Sequence, residues 1–307
     1  MATVSYADLG QGLYLIDGYL TDEPHRLACY LFDTPERVLI DCGPSHSIGY
    51  LFAALDHLGI DGVGTLALTH IHLDHAGGAG HFAARFPRAR VAVHSAGAPH
   101  LADPGRLVAS ATRAFGEERM AAYFGPVDPV DPGRLAVVEE GDRLALGSGR
   151  HLEVMYTPGH ARHHLVFFEA ETGICLIGDE AGVAFPHSHA VQPATPAPDF
   201  DAAATIDNLR RVAARRPALL GFAHFGPHPN PAAALAQAEQ RVRDWVAWFE
   251  QAGPDDDHAA FRRWVLDAHL AAGMAEEEVA LYDRHTYWDS QYQGVRRWLE
   301  RRHPPVS

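Results

Sequence analysis

The sequence predicts an α+β protein: two sheets packed face to face, helices on the outside, and a helical tail. Three observations carry that expectation. Strand-like segments give way to helical ones twice along the chain, once before and once after residue 125. The run Gly125–Gly133, rich in Gly, Pro and Asp, reads as a loop and a seam between two halves of one domain. From residue 231 onward the pattern is mostly helical. Two strand sets of this kind can each bury an apolar face only by packing on another layer.

Taken in order, Leu13–Ile16, Leu27–Phe32 and Arg37–Ile40 are short apolar runs separated by turn-rich segments, as strands are. Ser45 opens a helical pattern to about Leu58, with Ile48, Leu51, Phe52 and Leu55 on one face. Thr65–Thr69 is the next strand, a helix runs to Phe86 before Pro87, and Arg90–His94 is again a strand. Residues 105–125 look helical, with Leu107, Val108, Ala111, Phe115, Met120 and Phe124 roughly in period. Strands resume at about 135–138, 143–146, 151–157, 164–168 and 174–178. A loop over 180–198 carries Phe185, His187, His189 and several prolines, before a helix at 200–213 and a strand at 218–223. In the tail, Leu235, Val242, Trp245, Val246 and Phe249 mark a long amphipathic helix. Shorter helices carry Tyr282, Tyr287, Trp288, Tyr292 and Trp298, aromatics better explained by interhelix packing than by ligand contact.

Composition excludes several function classes. The 307 residues have 47% hydrophobic and 21% charged side chains, ordinary globular values. Net charge is −14, with 25 Lys and Arg against 39 Asp and Glu, and no basic cluster precedes Arg296, Arg297, Arg301 and Arg302. A nucleic-acid partner is therefore not expected. No apolar run reaches membrane-spanning length, and none follows a charged leader. Cys29, Cys42 and Cys175 sit in apolar runs without redox or metal spacing, which suggests core residues in a reducing compartment. A cytoplasmic location, a small-molecule partner and an optional homodimer are the expectations.

Residues 70–75 read His-Ile-His-Leu-Asp-His, between the Thr65–Thr69 strand and the helical run that follows Ala76–Gly80. Four ligand-type side chains thus occupy one tight connection. Imidazole and carboxylate both bind divalent metals, and a bent loop lets alternate residues face two neighbouring positions. Three imidazoles and a carboxylate are hard to explain as packing, because crowded together they repel or titrate unless a cation holds them.

This run resembles the His-x-His-x-Asp-His signature of the metallo-β-lactamase superfamily. Tyr156-Thr-Pro-Gly-His160, Leu176-Ile-Gly-Asp179 and Gly221-Phe-Ala-His224 resemble its later motifs, in the same order. The resemblance runs from about residue 12 to 228 and looks most like a poorly characterised hydrolase branch. It implies a four-layer αββα sandwich over 1–230, with 231–307 as a helical extension. It implies one metal held by His70, His72 and His160, a second by Asp74, His75 and His224, and Asp179 bridging both. Two divalent ions are implied, zinc foremost, with iron and manganese suiting the same ligands. The implied chemistry is hydrolysis of a carboxylic ester, lactone or thioester by a metal-bridging hydroxide, with Asp74 and Asp179 among the catalytic groups. Asp41, at a strand end before Gly43, is either a turn former or a group orienting a ligand imidazole, on equal terms. His163 and His164 could donate a proton, bind substrate, or simply begin a strand.

Two other activities stay open: a mononuclear iron oxygenase resembling persulfide dioxygenases, and a small-molecule phosphodiesterase of the same superfamily. Histidine at position 72 stands where flavin-linked diiron reductases of the superfamily carry glutamate, which argues against that activity. No basic glutathione-binding pattern is evident in the tail.

Overall fold

The computed structural model describes residues 4–188, 190–252 and 257–302; His189 lies outside them. Seven strands form the first sheet in sequence order: β1 (Tyr6–Gly10), β2 (Leu13–Asp17), β3 (Ala28–Phe32), β4 (Val38–Ile40), β5 (Thr65–Ala67), β6 (Arg90–Val93) and β7 (Leu135–Val137). The second sheet holds β8 (Arg143–Gly147), β9 (Arg150–Tyr156), β10 (Leu165–Glu169), β11 (Ile174–Gly178), β14 (Leu219–Phe222) and β15 (Gly226–His228), ordered β15-β14-β11-β10-β9-β8. Two short strands, β12 (Val183–Ala184) and β13 (Val191–Gln192), make a separate hairpin inside the expected 180–198 loop.

Strand periodicity builds the layers. In β3, Ala28, Tyr30 and Phe32 face the inter-sheet core, while Cys29 and Leu31 face outward. In β10 and β11, Leu165, Phe167, Ile174 and Leu176 meet them from the second sheet. Alternate residues Val166, Cys175 and Ile177 face the other way. Because central strands such as β3, β10 and β11 are buried on both faces, each sheet needs an outer cover. Helix α1 (Ile48–His57) covers the first sheet, together with Phe82 and the segment around it. The four-layer αββα sandwich is therefore present. The seam falls later than the Gly125–Gly133 run suggests, since β7 pairs parallel with β6 and closes the first sheet. All three cysteines are buried and unpaired.

Six short or medium helices lie between β5 and β15. They are α2 (Leu73–Ala76), α3 (Ala79–Arg85), α4 (Ala98–Ala102), α5 (Gly105–Phe115), α6 (Glu117–Arg119) and α7 (Ala202–Ala214). The tail forms α8 (Pro231–Ala252), α9 (His258–Ala271), α10 (Glu276–His285) and α11 (Trp288–Arg302). Ala234, Leu235 and Ala238 of α8 join Leu209 and Val212 of α7 over the second sheet. The tail has its own aromatic core around Trp245, Phe249, Phe261, Tyr292 and Trp298, into which Phe185 and Phe200 insert. Among the described residues no helix is long and apolar enough to cross a membrane.

Candidate metal centre

Four strand ends meet at one place. His70 follows β5 by three residues, His160 follows β9 by four, Asp179 follows β11 directly, and His224 follows β14 by two. Strands β9 and β11 are both antiparallel to β10, and β11 is parallel to β14, so all three end at the same sheet edge. The 70–75 run is only partly a loop. His70 and His72 lie on extended backbone, whereas Asp74 and His75 sit on the one-turn helix α2, with His72 as its N-cap.

All seven predicted groups converge. His70, His72 and His160 form one cluster, and Asp74, His75 and His224 another; His70 and His75 also group with Asp179. Within each cluster the ligand atoms lie within 4.8 Å of one another. In the first, His72 Nδ1 is 2.9 Å from His70 Nε2 and 3.0 Å from His160 Nε2. In the second, His224 Nε2 is 3.2 Å from His75 Nε2 and 3.4 Å from Asp74 Oδ2. Asp179 stands between them. Its Oδ2 is 3.6 Å from His160 Nε2, while its Oδ1 is 3.4 Å from His75 Nε2 and 3.7 Å from His224 Nε2. That buried Oδ1 has no hydrogen-bond partner.

Outer partners decide which ring nitrogen faces inward. Thr69 Oγ1 donates its one proton to Asp41 Oδ2 (2.8 Å), so it accepts from His70 Nδ1–H (3.0 Å). His75 Nδ1–H donates to Asp41 Oδ2 (2.9 Å), His160 Nδ1–H to the Ala194 carbonyl (3.0 Å), and His224 Nδ1–H to the Arg26 carbonyl (2.5 Å). When neutral, these four imidazoles turn an unprotonated Nε2 towards the centre, the form a metal needs. Asp41 is thus an orienting group and not merely a turn former. It is buried, and it also accepts the Thr69 N–H at 2.8 Å.

The electrostatics divide the two clusters. Burial, reinforced by neighbouring imidazoles, holds His70 well below the ordinary imidazole value; burial and His160 push His72 down to about 4, and burial holds His160 low against the pull of Asp179. Burial opposes charge on His75 and His224 too, but Asp179 and Asp74, with Asp41 beside His75, outweigh it, holding His75 well above and His224 above the usual value. Neutral rings in the first cluster, and in the second two rings whose protons a cation would displace from beside two carboxylates, make a donor set that fits divalent cations. Two ligands on a tetrahedral zinc, each ~2.0–2.1 Å from it, lie roughly 3.4 Å apart.

Supporting residues explain the motif spacing. His164 is fully buried and is no ligand: its Nε2 accepts the Asp179 N–H at 3.1 Å, and its Nδ1 bonds Thr157 Oγ1 at 2.8 Å. Gly178 has φ +54, and a Cβ there would sit 2.6 Å from His164 Nε2. Glu180 accepts the His160 N–H (3.1 Å) and the Asn208 side chain (2.9 Å); burial raises its carboxyl to about 7. A Cβ on Gly159 would collide with that carboxylate and with Thr205, which is why glycine precedes His160. Sequence reasoning missed Thr69, Glu180 and the carbonyls of Ala194 and Arg26. Thr69 and Glu180 stand next to His70 and Asp179 in the motifs; the two carbonyls left no trace there.

The centre opens on a cavity of about 360 Å³. Leu107, Ala111 and Phe115 of α5, with Phe124, form one wall, and Phe185, Pro193 and Pro196 another. Helix α10 contributes Leu281 and Tyr282, α11 contributes Gln291, and the connection between them Tyr287. His163 also lines it, its Nδ1 accepting the Ile71 N–H at 3.4 Å.

Comparison with known proteins agrees with this geometry. The chain is 32% identical over 220 residues to the metallo-beta-lactamase fold-containing protein ST1585 of Sulfurisphaera tokodaii, covering 70% of this chain and 79% of that one. It is 34% identical over 189 residues to the acyl-coenzyme A thioesterase MBLAC2 of Gallus gallus, covering 57% of this chain and 65% of that one. A shorter match, 30% over 111 residues, joins it to a hydroxyacylglutathione hydrolase of Synechococcus, covering 36% of this chain and 32% of that one. The crystal structure of ST1585 superposes with a TM-score of 0.68 at 26% identity, covering 94% of this chain and 99% of that one. The TTHA1429 structure from Thermus thermophilus shares the fold, with a TM-score of 0.63 at 22% identity over 96% of this chain and 95% of that one. The metallo-beta-lactamase superfamily model matches residues 26–224, a span that takes in every strand end of the centre, and the chain belongs to that superfamily.

Proposed function

We propose that this metallo-hydrolase cleaves a carboxylic ester, lactone or thioester, using two divalent ions, zinc foremost. His70, His72 and His160 would hold one ion and Asp74, His75 and His224 the other. The observation that carries the reading is Asp179, whose two oxygens each face a different cluster. An intact second cluster favours a dinuclear hydrolase over a mononuclear oxygenase. Bound ions supply water acidified towards pKa ~7 and a Lewis acid for the acyl oxygen.

The chain's own groups do the rest. Asp41, through Thr69 and directly, fixes the tautomers of His70 and His75. The Ala194 carbonyl fixes that of His160. His164 holds the Asp179 backbone, so the carboxylate keeps one oxygen on each side. Phe115, Phe124 and Phe185 make an apolar wall beside the centre, suited to an acyl group and poor for bulk water. The names of the chicken and cyanobacterial relatives, an acyl-coenzyme A thioesterase and a hydroxyacylglutathione hydrolase, support acyl hydrolysis. The test is turnover of an ester, lactone and thioester panel by metal-loaded protein without oxygen, together with elemental analysis. Hydrolysis that chelators abolish, with two ions per chain, is the expected result. Inertness to all three classes, with oxygen consumed on a persulfide, would replace this reading by the oxygenase.

A further inference from the structure

A second, smaller cavity of about 40 Å³ adjoins the acyl cavity and shares Leu20, Arg26, His285, Thr286 and Tyr287 with it. Its lining brings together Arg26 from the β2–β3 connection, Arg119 from the end of α6 and Arg284 from the end of α10. Three guanidinium groups gather here on a chain of net charge −14. Arg284 shares Glu23 with His285, at 3.4 and 2.6 Å. Neither Arg26 nor Arg119 has a side-chain hydrogen bond or ion pair with any described residue. A part-buried guanidinium with no hydrogen bond to the protein is costly unless a ligand supplies one. Tyr287 lines both spaces and so joins them.

We propose that Arg26, Arg119 and Arg284 form an oxyanion subsite that grips a phosphate, sulfate or carboxylate of the substrate while the acyl part lies against Phe115, Phe124 and Phe185. The planar guanidinium fork matches such groups, and three from separate elements can surround one. The Arg26 carbonyl already holds His224, so an anion on the side chain of the same residue is anchored next to the second cluster. The proposal rests on the acyl-hydrolase reading only for what the other end of the substrate does.

Binding and turnover test it separately. Sulfate is titrated into the metal-loaded full chain while arginine Nε–Hε resonances are followed, with assignments from Arg26→Gln, Arg119→Gln and Arg284→Gln. The three signals should shift together and saturate, and Arg26→Gln should abolish the response of the other two; an acetate titration ranks carboxylate against sulfate. Linear shifts no larger than those of Arg210, which is occupied by Glu239 at 2.7 Å, would overturn the subsite. In the kinetic arm, thioesters share one acyl chain and their thiol parts end in phosphate, carboxylate or neutral amide. Arg284→Gln should raise KM about 10-fold for the better-bound anion, with kcat nearly unchanged and no effect on the amide. An equal KM change for the amide would remove the subsite and leave the hydrolase standing. Saturable sulfate binding without any thioester turnover would do the reverse.

Discussion

The two halves of the metal centre are built differently. His70, His72, Asp74 and His75 come from six consecutive positions on one strand-to-helix connection. His160, Asp179 and His224 come from three strand ends of the other sheet, each contributing one side chain. The first half is assembled by local backbone geometry. The second exists only because β9, β11 and β14 end at one edge. The difference teaches where each half is fragile: the first depends on tautomer-fixing partners, the second on the backbone that delivers each residue.

The sharpest way to break the comparison is Asp179→Ala, because Asp179 alone faces both clusters. Hydrolysis should fall by at least ~100-fold, more than loss of an outer-sphere partner causes, and both ions should leave more readily. Elemental analysis after gel filtration reads the metal, and a chelator-sensitive ester or thioester assay reads the rate. Loss of no more than one ion, with activity retained, would show that the two halves do not share this group.

Asp41→Asn probes the local half without removing a ligand. Asp41 has φ +56, a conformation asparagine tolerates, so the backbone should persist. Asparagine has one acceptor oxygen where Asp41 uses two, so it cannot accept the Thr69 N–H, as Oδ1 now does, together with Thr69 Oγ1–H and His75 Nδ1–H, as Oδ2 does. His75 would lose its enforced tautomer, and metal affinity should drop ~10–100-fold. Competition against a chromophoric chelator measures it. An unchanged affinity would mean the connection positions these rings by backbone alone.

Much of this was legible in the sequence, and the misses have physical causes. Strand-like runs from 13 to 40 and from 164 to 178 were readable because they are apolar on both faces, and the run from 151 because Leu152 and Val154 alternate with His151 and Glu153. Strand β1 escaped, because four of its five residues are exposed at a sheet edge. The β12–β13 hairpin and β15 are two or three residues long, below any usable period. The 70–75 run declared itself through ligand density, but α2 within it is too short to show helical periodicity. The arginines of the smaller cavity come from positions 26, 119 and 284, so no local window contains them.

The tail sets a control on stability. Phe261 is fully buried and meets Trp245 at 5.0 Å, Trp248 at 5.2 Å and Phe249 at 5.0 Å between ring centroids. Phe261→Ala should destabilise by about 3–5 kcal/mol through the lost transfer energy and the cavity left. A denaturant melt of metal-loaded protein checks that value. The folded variant should keep its full metal content, since no ligand comes from the tail; metal loss in the folded state would tie the tail to the centre.

The smallest expected effect belongs to His187. It is exposed, in the turn of the β12–β13 hairpin, and lies outside all three clusters. That hairpin matters to the centre by other means: Ala184 exchanges backbone hydrogen bonds with the His224–Phe225 segment, and the Ala194 carbonyl beyond it holds His160. The His187 backbone N–H reaches Glu278 Oε1 at 3.4 Å, a bond that any side chain but proline preserves. His187→Ala should therefore leave metal content, kcat and KM unchanged within error, and shift stability by no more than ~0.5 kcal/mol. A histidine-rich chain invites the idea that any nearby imidazole feeds the metal. Metal loss here comparable to that of Asp179→Ala would show that the hairpin turn supplies a ligand and that the seven-residue set is wrong.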